Sequence, residues 1–172
     1  KLVSRGRFFD EDDLVDYDVL DYDVDASFYP EREWMEGRTK LKVRVKSHAL
    51  GVLTLRFAES LNVSSVTSDE FGRLFSLKAA NQNAVLVNLP ASVLRDTEMT
   101  LTVIYSGRVA PQSPDRETLA FEQGFDQDEV FPRAEPSQLY SSRTYWYPQS
   151  TVSDYATATI RLTVPAVFTC VA

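Results

Sequence analysis

His48 is the only histidine of the chain and Cys170 its only cysteine. A zinc site built on two or three histidines therefore cannot be assembled from these residues alone. A Ser-His-Asp or Cys-His pair would have to use His48. His48 sits in Lys46-Ser47-His48-Ala49-Leu50, where an alternating segment ends, and reads as a solvent-exposed turn histidine. Cys170 lies in an alternating apolar run and reads as a small buried side chain, not a nucleophile; a lone cysteine also permits no internal disulfide. The six glycines are scattered singly, with no phosphate-cradling loop among them. Carboxylates are plentiful. Asp10-Glu11-Asp12-Asp13 reads as a solvated turn, with a metal cluster as the lesser alternative. Asp21, Asp23 and Asp25 have Arg and Lys within pairing reach, so they need no glycosidase chemistry, which would require two carboxylates flanking a cleft. No residue of the chain is a candidate catalyst.

The elements that would position these groups are strands. Leu20, Tyr22, Val24, Ala26 and Phe28 fall on one face of a segment whose other face holds Asp21, Asp23, Asp25 and Ser27. After a loop over 30–37, Thr39, Leu41, Val43 and Val45 alternate with Lys40, Lys42, Arg44 and Lys46. The two segments predict a hairpin in the register Leu20/Val45, Tyr22/Val43, Val24/Leu41, which sets Asp21, Asp23 and Asp25 against Arg44, Lys42 and Lys40. A one-residue slip would turn the apolar sets outward; a two-residue slip would not. Further strands are predicted around Leu53, Leu55 and Phe57, around Val63 and Val66, over Phe75 to Leu77, and over Val85, Val87 and Leu89 beyond an Asn81-Gln82-Asn83 turn. Pro90 to Glu98 reads as a break in which Ala91-Ser92-Val93-Leu94 could form one helical turn. Met99, Leu101, Val103 and Tyr105 make another strand closed by Gly107, and Ala156 to Val164 resume the alternation. Residues 108–149 are broken by prolines and rich in aromatics, including Tyr145-Trp146-Tyr147; they read as a long loop pinned by its rings. The fold class is all-β, an antiparallel β-sandwich or saddle-shaped pair of sheets over 17–172, preceded by a lead-in over 1–16.

A content of 44% hydrophobic residues supports a packed core. A net charge of −7 disfavours nucleic acid as a partner. No apolar run approaches the ~20 residues that span a bilayer. The alternating strand before Pro165 is followed by a second apolar run that stops at Ala172, and the chain reads as a piece of a longer protein, cut before its next domain.

The order of these segments resembles the N-terminal domain of aminopeptidase N-like zinc metallopeptidases, the gluzincin aminopeptidases. Tyr17-Asp18-Val19-Leu20-Asp21-Tyr22-Asp23-Val24-Asp25, then Gly37 and Leu41-Lys42-Val43-Arg44-Val45, look like that domain's opening pair of strands. Leu101-Thr102-Val103-Ile104-Tyr105-Ser106-Gly107 matches its Leu-x-Val-x-Tyr-x-Gly strand. Tyr147-Pro148, the strand over 155–164, Pro165 and Val171-Ala172 are similar to its closing part. The resemblance implies a non-catalytic domain capping an active-site cleft. Zinc would be held in the parent's catalytic domain by a His-Glu-x-x-His helix and a distant Glu, none of which is in this chain. It implies that Gln138 helps bind the substrate's free amino group, with Tyr140 near it, Arg143 in place of the family's Arg, and Tyr145, Trp146 and Tyr147 lining the cleft that faces the catalytic domain. The implied partners are the catalytic domain of the same chain and the N-terminus of a peptide. Tyr140 stands where the family often has an acid, and Trp146-Tyr147-Pro148-Gln149-Ser150-Thr151-Val152 replaces Phe-Pro-Cys-Phe-Asp-Glu-Pro, which suggests a divergent branch. These departures keep other readings open. One is a binding or scaffolding module in a parent with a degenerate peptidase domain; another is a carbohydrate-binding sandwich that stacks sugars on Trp146 and Tyr147.

Overall fold

Alternation of inward and outward side chains builds nearly all of the described chain. The structure, a computed structural model, describes residues 15–110, 144–152, 155–168 and 170. The strands are β1 (Tyr17–Tyr29), β2 (Trp34–Val45), β3 (Ala49–Arg56), β4 (Leu61–Ser68), β5 (Gly72–Ala79), β6 (Ala84–Leu94), β7 (Glu98–Arg108) and β8 (Thr157–Thr163). They form one eight-stranded sheet in the order β3-β6-β5-β4-β7-β2-β1-β8. Neighbours are antiparallel except β1 and β8, which run parallel, so the sheet is mixed.

The sheet turns over at β5. Its first residues pair with β4 (Leu74 with Val66), whereas Phe75 to Ala79 pair with β6. The β3-β6 end thereby folds across the β1-β2-β7 end, and one core fills the space between. Leu53, Leu55, Phe57, Val85 and Val87 from one side meet Val24, Leu41, Val43, Leu101 and Val103 from the other, all buried in a single cluster. Complete burial of such a Val or Leu stabilises the fold by roughly 1.5–3 kcal/mol each. A buried polar pair lies within this core: the Thr39 hydroxyl lies 3.3 Å from the Tyr105 hydroxyl.

The hairpin forms two residues away from its expected register. Tyr22 lies opposite Leu41 and Val24 opposite Thr39. A bulge between Val19 and Asp21 leaves Leu20 as an extra residue and reverses the parity before it. Tyr17 and Val19 therefore face inward ahead of the bulge, and Tyr22, Val24 and Phe28 after it, all buried. The shifted register still sets Asp21 against Lys42, Asp23 against Lys40 and Asp25 against Arg38. Lys42 and Arg44 reach instead to Glu98 on β7, at 2.8 and 2.6 Å.

Two expectations about boundaries and two about burial are corrected. The connection between β1 and β2 is only the 3-10 turn Pro30–Arg32 and Glu33, which takes φ 50°, so Trp34 to Gly37 belong to β2. β6 continues through Pro90 to Leu94, because the register with β3 shifts there: Leu89 to Ser92 stand opposite Gly51 alone, and the proline sits in that bulge of β6, where no ladder hydrogen bond is asked of it; Ala91 to Leu94 are strand, not a helical turn. Cys170 is exposed, not buried. His48 is exposed at a bend, as expected. In β8 the expected inward face is not realised: Ala156, just ahead of it, Ala158 and Ile160 are exposed, and only Leu162 and the following Val164 pack against the core.

Candidate functional site

The aromatic run Tyr145-Trp146-Tyr147 lies on a strap over 144–152 that joins two distant strands of the sheet. On the β3 side, Arg56 and Gln149 exchange both backbone hydrogen bonds, at 2.8 and 2.9 Å, and the Ala58 N–H donates to the Tyr145 carbonyl at 2.9 Å. Tyr145 adopts φ 47° there, a conformation uncommon for a residue with a side chain. The Arg56 guanidinium donates to the Tyr145 hydroxyl at 2.7 Å.

On the β1 side the acceptors are tyrosine hydroxyls. The Ser150 N–H donates to the Tyr22 hydroxyl at 2.9 Å and the Thr151 N–H to the Tyr17 hydroxyl at 3.4 Å. The Tyr17 hydroxyl in turn donates to the Thr54 carbonyl on β3. Hydrogen bonds thus run from β1 to β3 both through the strap and directly beneath it. Tyr147 sets its ring edge-on to Tyr22 with centroids 5.8 Å apart, and Trp146 packs edge-on to Tyr147 at 4.8 Å. Such pairs add ~0.5–1.5 kcal/mol beyond the area they bury.

Between strap and strand lies a cleft of about 190 Å³ lined by Val19, Tyr22, Tyr147, Gln149, Ser150, Val152 and Ala156. Burial raises the Tyr22 phenol to about 12 and also raises those of Tyr17 and Tyr147. All three are therefore neutral hydrogen-bonding groups at pH 7, suited to orienting a ligand but not to proton abstraction.

Of the residues singled out in the sequence, Trp146 and Tyr147 come together in this seam, with Tyr147 in the cleft wall. Gln138, Tyr140 and Arg143 lie outside the described residues, as does the acidic run Asp10 to Asp13. The structure adds Tyr17 and Tyr22, whose hydroxyls hold the strap. Their only sequence signal was a phenol at inward strand positions, where Phe or Leu would bury the same area without a polar tip. Among the described residues no group of three or more His, Cys, Asp or Glu side chains is arranged to hold a metal ion, so these residues do not fit a zinc site. Nor is any helix among them long and apolar enough to cross a membrane.

No protein-family model matches the chain, and no curated protein matches it. Solved structures do. A mutant of a two-domain M1 zinc metallopeptidase bound to L-arginine superposes with a TM-score of 0.64 at 22% identity, over 88% of this chain and 33% of the other. An M1 zinc metallopeptidase mutant from Deinococcus radiodurans, bound to a Tyr-Ser-Ala substrate, gives 0.62 at 23% identity, over 87% and 33%. The unmutated enzyme from that organism gives 0.62 at 22%. The fold is that of an M1 peptidase N-terminal domain. The chain spans about a third of the length of these structures.

Proposed function

We propose that the chain is the non-catalytic N-terminal domain of a zinc aminopeptidase of the M1 kind. The observation that carries this is the pair of coverages: 88% of this chain matches, while two-thirds of the two-domain neighbour is left over. The neighbours are zinc metallopeptidases, one of them bound to a tripeptide. In this reading the zinc and the water-activating Glu belong to a following domain of the same chain. The present domain covers the cleft, Gln138 accepts a hydrogen bond from the substrate's α-ammonium group, and Arg143 and Tyr140 stand beside it. In the same reading Trp146 and Tyr147 line the cleft that faces the following domain.

The test is made on the longer protein. Its reading frame beyond Ala172 should encode His-Glu-x-x-His and a later Glu, and the purified product should bind one zinc and hydrolyse aminoacyl anilides. Gln138→Ala should raise KM for those substrates about tenfold while changing kcat less, the size expected for one hydrogen bond to a charged amine. A longer frame that lacks the metal ligands would make the parent a binding module. Unchanged KM in Gln138→Ala would remove that residue from substrate recognition while leaving the peptidase assignment intact.

A further inference from the structure

On the face of β1 and β2 turned away from the core lies a second hollow, of about 460 Å³. Its wall carries Asp25, Ser27, Glu36, Arg38, Ser64 and Ser106. The ladder explains the grouping, because Ser27, Glu36 and Ser106 form one row across β1, β2 and β7, and Asp25, Arg38 and Ile104 form the next. One row further along, Tyr29 and Trp34 stand directly opposite each other, 41% and 37% exposed. The Trp34 indole N–H donates to Glu36 Oε1 at 3.1 Å, which ties the ring to the rim of the hollow.

We propose that this face binds a neutral oligosaccharide. The reading is independent of the peptidase assignment. A sugar ring offers a belt of hydroxyls, each both donor and acceptor, and an apolar C–H face. The hollow supplies the complement: carboxylates that only accept, a guanidinium that only donates, and serine hydroxyls that do both. The exposed rings of Tyr29 and Trp34, on opposed residues of β1 and β2, supply apolar faces alongside. Charge argues for a neutral ligand. Arg38 lies 3.9 Å from Asp25, which leaves Glu36 as the one carboxylate of the wall without an opposed cation in it; an anion would meet repulsion, and a cation only one screened charge.

The chain as it stands is titrated with gluco-, xylo-, manno- and galacto-configured oligosaccharides, followed by amide and indole NMR resonances and by calorimetry. At least one sugar should shift the Trp34 indole and Gly37 amide signals at millimolar concentration or below. Trp34→Ala and Glu36→Gln should each weaken that binding about tenfold or more, and Phe75→Ser, on the β5 surface, should leave it unchanged. Both binding-face substitutions are at exposed positions, and an unaltered amide spectrum elsewhere confirms that each variant folds. The proposal is overturned if no sugar of the panel shifts these signals. It is equally overturned if short peptides or free amino acids shift them while every sugar is silent.

Discussion

Gly37 and Tyr105 face each other across β2 and β7, and the tyrosine ring occupies the space a side chain at 37 would need. A Cβ there would lie 2.4 Å from the ring carbon Cζ and 2.5 Å from its hydroxyl oxygen. Tyr105 cannot step aside, since its ring is fully buried, packs edge-on to Phe57 at 5.2 Å and reaches Thr39. Gly107 is constrained by backbone, with the Ser60 carbonyl oxygen 2.5 Å from a Cβ placed there. The Tyr-x-Gly pattern and the isolated Gly37 were both visible in the sequence as family-like spacing. Their purpose was not, because it depends on a cross-strand partner dozens of residues away. Gly37→Ala should cost about 2 kcal/mol through overpacking, read as a lower urea midpoint with an unchanged slope. Coupling it with Tyr105→Phe should recover little, because the ring itself remains; full stability in the single variant would show that the ring yields. At the candidate site the same limit applied. Trp146 and Tyr147 were legible as pinning aromatics, but the phenols that receive the strap were not, since nothing local distinguishes a tyrosine whose hydroxyl has a remote partner.

Strands were the most legible level. The inward sets of β3, β6 and β7 follow directly from alternation, and Asn81 and Asn83 carry the positive φ values of 60° and 45° expected at an Asn-rich turn. What failed was register. With Arg38, Lys40, Lys42 and Arg44 spaced every second residue, a two-residue shift preserves both the buried face and the charge matching, so the β1-β2 pair contained no local information to choose between them. The bulge at Leu20 and the hidden bulge beside Pro90 made the remaining difference; both are settled by packing against other strands. The same architecture ranks the strands by protection. β7 lies between β4 and β2 and buries Met99, Leu101, Val103 and Tyr105, whereas β8 is an edge with nearly every residue exposed. Hydrogen exchange should therefore be slowest in β7 and faster in β8 by orders of magnitude. Equal protection of the two strands would mean that the outer side of β8 is covered in solution.

For the whole molecule, pH limits stability from both sides. Lys42 first, and Arg44 with it, hold the Glu98 carboxyl down to about 2. A depressed carboxylate contributes stability that is complete above its ordinary value of 4.5 and fades as pH falls toward 2. At the alkaline side, burial raises Tyr22 and Tyr105 to about 12. Their contribution is complete below the ordinary 10 and is lost as pH rises from 10 to 12, because only the unfolded chain ionises easily there. Urea midpoints followed across pH should thus fall at both ends. Glu98→Gln should flatten the acid limb modestly, since that ion pair is at the surface, and Tyr22→Phe should flatten the alkaline one. An unchanged alkaline slope in Tyr22→Phe would show that its phenol ionises as readily in the folded chain. The lone parallel pairing has a consequence for assembly order. Asp21 meets Thr157 and Ser27 meets Thr163, so β8 returns to the first strand from the far end of the sequence, and no hairpin can carry it there. As the polypeptide emerges from a ribosome, all the partners that β1 to β7 need among themselves are made before β8, and until then β1 lacks its β8 neighbour. β8 then completes the sheet as its last-made part, and until it arrives that flank of β1 is the place where a nascent chain is open to capture by another.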